Sequence, residues 1–180
     1  MAYISEKELI ETAVKIRLLI LDVDGVLTDG SIILDNSDNE YKAFYVRDGH
    51  GIRMLQKAGV KVALITGRYS TVVERRAAEL GVQDVFQRSF DKRVAYRIIA
   101  EKYSVRDSEI AYIGDDIVDI PVLKLSGLPI AVADADVEVK PFVKMVTRNR
   151  GGRGAVREVC DLLIKAKGLW KDIFDEYSQT

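Results

Sequence analysis

Arg17-Leu-Leu-Ile-Leu-Asp22-Val-Asp24-Gly25 joins a short apolar run to two carboxylates. The run is too short for a typical helix, and it predicts a strand that is buried on both faces. Similar runs recur at 60–65, 110–113, 128–132 and 143–146. Stretches with helical spacing occur around 52–58, 72–80, 94–102 and 156–163. This alternation predicts an α/β fold, a Rossmann-like doubly wound parallel sheet with helices on both faces.

Residues 30–46 interrupt this alternation. Segments 31–34 and 40–46 are β-like, and the turn cluster Asp35-Asn-Ser-Asp-Asn39 separates them. They predict an inserted β-hairpin at about 30–46, the alternative being an extension of the main sheet. Proteins usually cover the open edges of an exposed hairpin, and formation of an oligomer would cover them here.

Both ends of the chain predict short helices. Ser5-Glu6-Lys7-Glu8 has the pattern of a capping box. The apolar residues of segment 168–180 are Leu169, Trp170, Ile173, Phe174 and Tyr177. They predict an amphipathic helix that packs on its own domain or, alternatively, docks on a partner subunit.

Composition is that of an ordinary soluble protein of 180 residues, 48% hydrophobic and 31% charged, and we expect one domain over 1–180. With 27 basic and 28 acidic side chains the net charge is −1, so charge gives no argument for binding nucleic acid or a membrane. No apolar run approaches the roughly 20 residues of a membrane span, and the charged segment 1–15 is not a signal peptide. Cys160 is the only cysteine, which excludes an internal disulfide. We expect a cytoplasmic protein.

Polar residues follow three of the predicted strands. They are Asp22 and Asp24 after the first, Thr66, Gly67 and Arg68 after the second, and Asp115, Asp116 and Asp119 after the third. Ligands bind beyond the carboxyl ends of strands in open α/β sheets, so acidic groups from two strands should converge there. Carboxylates this close repel one another, and Mg²⁺, which prefers oxygen ligands, would relieve the repulsion.

This set of side chains suits attack on phosphorus. Asp22 is the expected nucleophile and would form an aspartyl-phosphate. Asp24 is the expected general acid and base, and Thr66 would donate a hydrogen bond to a phosphoryl oxygen. Lys92, after Asp91 at a helix start, would balance the charge of the intermediate. Each residue alone is equally typical of a helix cap, a turn or a solvated surface, but their joint order predicts a magnesium-dependent phosphatase.

These segments resemble the motifs of the haloacid dehalogenase superfamily. The motifs are Leu21-Asp22-Val-Asp24-Gly25-Val-Leu-Thr28, Leu64-Ile-Thr66-Gly67-Arg68, Lys92, and Ile113-Gly-Asp115-Asp116-Ile-Val-Asp119. The resemblance implies the haloacid dehalogenase fold. It also implies that Mg²⁺ is held by the side chains of Asp22 and Asp115 and by the backbone carbonyl of Asp24. Asp119 would support the metal shell or Lys92.

Segments 44–53, 131–135 and 151–158 resemble one family more closely, the phosphatases of 3-deoxy-D-manno-octulosonate 8-phosphate, over roughly residues 17–167. That family acts in lipopolysaccharide synthesis and has no large cap domain. The resemblance implies a homotetramer assembled through the hairpin, with a neighbouring subunit closing the site. The implied substrate contacts are Asp24, Tyr45, Val46, Arg47, Asp48, Gly49, Arg53, Gly67, Arg68, Arg76 and Lys92.

Arginine side chains suit a substrate that carries both carboxylate and phosphate. Arg76 is equally typical of a solvated helix face. Related phosphatases of nine-carbon sugar acids tend to have Glu where this chain has Arg68. Arg68 thus adds weight to the octulosonate phosphate, and a sialic-type 9-phosphate, or another sugar-acid phosphate, is the alternative substrate.

Two other classes of protein share part of this pattern. A receiver domain carries its phosphoacceptor after a later strand, whereas Asp22 follows the first. A catalytically inactive scaffold is disfavoured because all of the motifs are intact. Among the remaining candidates, His50 is expected to be structural or exposed rather than a sugar contact. Gly151, Gly152 and Gly154 predict either a tight turn near the site or simply a helix start.

Overall fold

The structure is a computed structural model that describes residues 4–178. Its strands are β1 (Leu18–Leu21), β2 (Ile33–Leu34), β3 (Glu40–Tyr41), β4 (Lys61–Ile65), β5 (Asp84–Phe86), β6 (Ile110–Gly114), β7 (Leu128–Ala131) and β8 (Met145–Val146). Its helices are α1 (Glu6–Lys15), α2 (Val46–Lys57), α3 (Thr71–Leu80), α4 (Lys92–Tyr103), α5 (Ile120–Leu123), α6 (Ala155–Ala166) and α7 (Trp170–Ser178). The outermost residues of the segments 1–15 and 168–180 discussed above lie outside the described residues.

The main sheet confirms the predicted α/β architecture. Its six strands are parallel and lie in the order β5-β4-β1-β6-β7-β8. β1 and β6 pair along their length and are fully buried, as their apolar composition predicts. The chain leaves β1 in one direction to β4 and β5, then returns to β6 on the other side. The order therefore reverses between β1 and β6, where open α/β sheets bind ligands.

The inserted hairpin is present but shorter than predicted. β2 and β3 pair only with each other in the described part of the chain, with Ile33 opposite Tyr41 and Leu34 opposite Glu40. The hairpin is thus a separate two-stranded sheet and not an extension of the main one. The prediction of strand through residue 46 was wrong, because Tyr45 caps α2 and the helix begins at Val46. Only this hairpin and loops lie between β1 and α2, so no large cap domain is inserted there.

Helix α2 begins earlier than its apolar spacing indicates. Two glycines in its first half lower helix propensity, so the sequence signal for helix is weak there. Both lie close against a neighbouring helix. A Cβ on Gly51 would lie 2.9 Å from Arg157 Cδ of α6, and one on Gly49 would lie 2.3 Å from Arg76 Nη2 of α3. Close packing against two neighbouring helices therefore explains the weak helical signal at this end of α2.

Strand β5 was not predicted from the sequence. It has only three residues, and its first, Asp84, is a buried carboxylate that a search for apolar runs passes over. Asp84 accepts hydrogen bonds from Lys102 Nζ, at 2.5 Å, and from the Tyr103 hydroxyl, both at the end of α4. These bonds satisfy the carboxylate at the edge of the sheet.

Both terminal helices pack on the same body as the sheet. Ser5 caps α1 by accepting a hydrogen bond from the Glu8 N–H at 3.2 Å, as the capping pattern predicts. α7 buries Ile173, and Trp170 lies under Lys165 Nζ of α6. Up to Ser178 the tail packs on its own domain, and its docking on a partner subunit stays a prediction. No helix among the described residues has the length and apolar character needed to cross a bilayer.

Candidate active site

The carboxyl ends of β1 and β6 carry the acidic residues that the sequence singled out. Asp22 directly follows β1, and Asp115 directly follows β6. One carboxylate oxygen each from Asp22, Asp115 and Asp119 lies within 4.8 Å of the others. The parallel pairing of β1 with β6 therefore brings together side chains that lie almost a hundred residues apart in sequence.

Lys92 is the cation of this group. It is buried at the start of α4, and its Nζ lies 2.9 Å from Asp22 Oδ1 and 2.7 Å from Asp119 Oδ1. Burial lowers the pKa of Lys92, but the two carboxylates outweigh burial and raise it, so the ammonium stays charged. Asp22, Asp115, Asp119 and Lys92 are called the inner charge cluster below.

Asp119 is fully engaged within the inner charge cluster. Besides Lys92, the Tyr112 hydroxyl donates to Asp119 Oδ1 at 2.6 Å. The N–H groups of Asp115 and Asp116 donate to Asp119 Oδ2 at 3.0 and 3.3 Å. Both oxygens are thus taken by protein donors, which fits a supporting position better than a direct bond to a ligand.

Asp115 contrasts with Asp119 because one of its oxygens is unused. Oδ1 is buried and has no hydrogen-bond partner among the described residues. The carboxylate lies against Gly25, whose φ is +91° and where a Cβ would come within 2.0 Å of Asp115 Oδ2. A side chain at position 25 would displace the carboxylate, so glycine is required both by backbone conformation and by this close approach.

Burial and mutual repulsion raise the pKa of two of these carboxyls. Burial is the main cause for Asp22, the charge of Asp119 adds to it, and Lys92 opposes both, which leaves a pKa of about 7. Burial and the charges of Asp22 and Asp119 raise the pKa of Asp115 to about 8. The protein alone therefore holds more negative charge here than one lysine compensates.

A divalent cation fits this site. The donors are all oxygens, one of them is buried without a partner, and the carboxylates repel each other in a way that a cation would relieve. Oxygen donors of this kind suit Mg²⁺. The cluster offers no histidine or cysteine sulfur, which zinc would favour.

Thr66 and Arg68 follow β4, on the side of β1 opposite to β6. Thr66 is buried, and its position is set by the unpredicted strand β5. Its N–H donates to Phe86 O at 2.9 Å, and its carbonyl accepts from the Ser89 N–H at 3.0 Å. The segment after β5 leads directly into Lys92. A Cβ on Gly67 would meet no atom within 4 Å, so this turn faces open space.

A second group of charges surrounds Asp24, which is partly exposed. Lys42 Nζ contacts Asp24 Oδ1 and lies 3.6 Å from Glu40 Oε1. Arg68 Nη2 donates to Glu40 Oε1 at 2.9 Å, and Arg68 Nε lies 3.8 Å from Asp24 Oδ2. Asp24, Glu40, Lys42 and Arg68 are called the outer charge cluster below.

Sequence reasoning missed Glu40 and Lys42. They lie at and just after β3, and side chains on a strand alternate between its two faces. Glu40 and Lys42 therefore share one face, while Tyr41 between them points to solvent. The alternation was the available signal, but the sequence does not show which face of the hairpin meets Asp24.

Asp48 has a structural role in the described chain. Its buried carboxylate accepts from the Gly154 N–H at 3.2 Å and from the Arg157 N–H at 2.7 Å. It thereby caps α6, whose own N-cap residue Gly154 has no side chain. The predicted substrate contact of Asp48 stays a prediction.

The glycines at 151 and 152 form a tight turn against the loop that follows β1. A Cβ on Gly151 would lie 1.7 Å from Gly25 O, and the Gly152 N–H donates to Val26 O at 2.9 Å. The structure thus shows the turn near the site that was one of the two alternatives. Gly154 also serves as the N-cap of α6.

Several predicted substrate contacts lie away from the inner charge cluster. Tyr45 and Arg47 line a separate groove of about 920 Å³ between α1, α6 and β8, and Val46 is exposed at the start of α2. Arg53 donates to Glu79 O at 3.1 Å. Arg76 donates to Glu79 Oε2 at 3.2 Å and lies over the Phe44 ring.

Arg53, Arg76 and Gly49 therefore belong to the packing between α2 and α3. Their roles as substrate contacts stay predictions. His50 is exposed and packs edge-on against the Tyr177 ring of α7, with centroids 5.1 Å apart. Cys160 is buried in the core together with the other apolar residues of α6.

Comparison with known proteins agrees with this geometry. Residues 81–159 match the model of a haloacid dehalogenase-like hydrolase family. The chain is 50% identical over 161 residues to the 3-deoxy-D-manno-octulosonate 8-phosphate phosphatase of Escherichia coli (strain K12). The match covers 89% of this chain and 86% of that protein.

Solved structures give the same result. The phosphatase of that name from Yersinia pestis has a TM-score of 0.90 and 46% identity, and the match covers 94% of this chain and 95% of that one. The Moraxella catarrhalis enzyme, solved with a magnesium ion, a phosphate ion and a KDO molecule, has a TM-score of 0.94 and 38% identity, covering 96% and 99%. The chain therefore belongs to the 3-deoxy-D-manno-octulosonate 8-phosphate phosphatase family of haloacid dehalogenase-like hydrolases.

Proposed function

We propose that this protein is a single-domain, cytoplasmic, Mg²⁺-dependent phosphatase that converts 3-deoxy-D-manno-octulosonate 8-phosphate to the free sugar acid and phosphate. The pathway served would be lipopolysaccharide synthesis. The observation that carries the chemistry is the pairing of buried Asp22 with Lys92, beside the unpartnered oxygen of Asp115. The observation that carries the substrate is the 50% identity to the Escherichia coli enzyme over 89% of the chain.

The reaction runs in two steps that use Asp22 and Asp24. An oxygen of Asp22 attacks phosphorus, the bond from phosphorus to the sugar oxygen breaks, and Asp24 donates a proton to that oxygen. In the second step water attacks the aspartyl-phosphate, and Asp24 takes the proton of the water. The bond between phosphorus and Asp22 then breaks, which releases phosphate and restores the carboxylate.

Other residues hold charge during both steps. Lys92 keeps Asp22 oriented and compensates its charge, Asp119 fixes Lys92, and Thr66 would donate to a phosphoryl oxygen. Asp22, Asp115 and the backbone carbonyl of Asp24 would hold the metal. When bound, Mg²⁺ offsets the repulsion between phosphate and the carboxylates. Burial and the charge of Asp119 raise the pKa of Asp22, so Lys92 and the bound metal would have to stabilise its nucleophilic anion.

The substrate proposal is tested by phosphate release from a panel of sugar phosphates with and without Mg²⁺. The panel holds the octulosonate 8-phosphate, a sialic-type 9-phosphate and neutral hexose phosphates. We expect the octulosonate 8-phosphate to be hydrolysed fastest, and only with the metal. Equal rates across the panel would reject the substrate, and preference for the 9-phosphate would establish the alternative.

We also propose a homotetramer assembled through the hairpin, in which a neighbouring subunit closes the site. The hairpin exposes Ile32, Ile33, Leu34 and Tyr41. The loops at the carboxyl edge of the sheet expose Tyr69, Phe90, Ile117 and Val118, with Phe90 exposed to 90%. Apolar side chains collected around one edge are typical of a surface that another chain covers.

A pair of matched variants tests the assembly. Ile33 in the hairpin and Ile98 on α4 are both 48% exposed, so Lys at either position adds the same charge to a similar surface. We expect Ile33→Lys to shift the protein to smaller species in sedimentation velocity, and Ile98→Lys to leave the tetramer intact. A monomeric wild-type protein would contradict the proposal.

A further inference from the structure

Lys42 is the feature of the site that the reaction scheme above leaves unused. Its side chain is 1% exposed, and its ammonium contacts Asp24 Oδ1. Burying an ammonium costs free energy that an apolar side chain of the same length would not cost. A lysine at this position therefore destabilises the folded state unless its charge is used to bind Asp24.

The hairpin fixes where Lys42 can reach. Its turn is closed by Asp35, whose carboxylate accepts from the N–H groups of Ser37 and Asn39 at 2.8 and 3.0 Å and from the Tyr41 hydroxyl at 2.9 Å. These bonds fix the register of β3 relative to β2. With that register, Glu40 and Lys42 face the loop after β1.

Asp24 depends on cations from other segments of the chain more than Asp22 does. Asp22 directly follows β1 and is held by residues at the ends of the main sheet. Asp24 lies two residues further along, in a turn, and is partly exposed. The cations near it come from outside that turn, namely Lys42 from the hairpin and Arg68 from the loop after β4.

Glu40 keeps both cations in place. It accepts from Arg68 Nη2 at 2.9 Å and lies 3.6 Å from Lys42 Nζ. The outer charge cluster thus alternates in sign, and the position of the Asp24 carboxylate is set by two cations that share one anion.

We propose that Lys42 is a positioning residue that holds the Asp24 carboxyl group toward the leaving oxygen of the substrate. The ammonium does not touch the reacting atoms and acts only through Asp24. The inference rests on the proposed function, since it needs Asp24 to be the proton donor. It assigns the inserted hairpin a part in the chemical step.

The test compares two substrates of Lys42→Met, which keeps the length of the side chain and removes its charge. A sugar phosphate needs a proton on its leaving oxygen, whereas p-nitrophenyl phosphate leaves as a stable anion and does not. We expect kcat/KM for 3-deoxy-D-manno-octulosonate 8-phosphate to fall about 10- to 100-fold, within the range that a general acid contributes. For p-nitrophenyl phosphate we expect a fall of less than about threefold, because this step bypasses Asp24.

A mutant cycle separates action through Asp24 from action elsewhere. In the Asp24→Asn background, Lys42→Met should lower sugar phosphate turnover no further, because the group that it positions is gone. Lys42→Arg should recover part of the loss. Lys144→Met is the matched control, since Lys144 also donates a hydrogen bond from a partly buried ammonium, to Gly127 O at 2.8 Å, away from the site.

Three results would overturn the inference. They are an equal fall for both substrates, no fall for the sugar phosphate, and a full additional fall in the Asp24→Asn background. If Lys42→Met does not fold, as judged by thermal melting, Lys42→Gln is measured with the same two substrates. Loss of activity in Asp24→Asn with full activity in Lys42→Met would reject the role of Lys42 while leaving the proposed function intact. An active Asp22→Asn variant would reject the proposed function itself.

Discussion

The inner and outer charge clusters hold two aspartates that are separated by one residue, yet they are built differently. Asp22 is buried, and its partners Lys92, Asp115 and Asp119 follow strands of the main sheet or begin a helix behind it. Asp24 is partly exposed, and Glu40 and Lys42 near it come from a two-stranded insertion. The first set is supported by the hydrophobic core, and the second by a peripheral hairpin.

This difference separates the support of the proposed nucleophile from the support of the proposed proton donor. A nucleophile and its cation must keep a fixed geometry, which strand ends in a packed sheet provide. Side chains that act on the proposed proton donor from outside can be carried on an insertion, which can change without disturbing the core. The two clusters should therefore respond differently to the same kind of substitution.

The largest effect is expected at the centre of the inner charge cluster. Asp22→Asn removes the proposed nucleophile and should lower phosphate release by about 10⁴-fold or more. The fold should persist, because the amide relieves repulsion with Asp115 and Asp119. Phosphate release and thermal melting measure the two consequences, and retained turnover would contradict the nucleophile assignment.

Stability should distinguish the clusters next. Asp119→Asn places an amide among the donors Lys92, Tyr112 and two backbone N–H groups. Disrupting such a buried network should lower the free energy of unfolding on the order of 3 kcal/mol. Urea denaturation with EDTA present measures this free energy of unfolding. A change below about 1 kcal/mol would mean that the network contributes little to stability.

A smaller effect on the stability of the folded protein is expected from a change of pH. The pKa values of Asp22 and Asp115 are raised to about 7 and about 8, so the folded state keeps protons that the unfolded chain releases near pH 4. Without metal, stability should therefore fall as pH rises from about 4 to about 8. Mg²⁺ compensates the charges, so the gain in Tm on adding it should be about 3 °C or more larger at pH 8 than at pH 5. Equal gains at both pH values would contradict this origin of the shifts.

The smallest effect is expected in the outer charge cluster. Glu40→Gln leaves Lys42 paired with Asp24, so the free energy of unfolding should change by less than about 1 kcal/mol. The same urea titration compares it directly with Asp119→Asn. A loss as large as that of Asp119→Asn would show that the hairpin is as strongly coupled to the core as the strand ends are.

The inner charge cluster could be predicted from sequence because strand ends are predictable. Apolar runs locate β1 and β6, and parallel pairing places Asp22 beside Asp115 whatever the loops do. Lys92 could be inferred from its helix start and the need for a cation. The geometry of the acidic residues follows from the sheet, so local patterns were sufficient.

The outer charge cluster could not be predicted because it depends on register and on the placement of an insertion. Lys42 meets Asp24 only if the hairpin folds back over the loop after β1, and no local pattern encodes that direction. Asp48 was missed as a cap for a similar reason, since its partners Gly154 and Arg157 lie more than a hundred residues away. Long-range backbone contacts leave no periodic signal.

The pairing of β2 with β3 has a consequence for how this sequence can vary. Neighbouring residues on β3 face opposite sides, so Glu40 and Lys42 look inward while Tyr41 looks outward. Inserting or deleting one residue between Asp35 and Glu40 would exchange the two sides, taking the ammonium from Asp24 and bringing an aromatic ring in its place. In related sequences, insertions or deletions in this turn should therefore be tolerated only in even numbers. An odd number would need a β-bulge that returns each side chain to its original face.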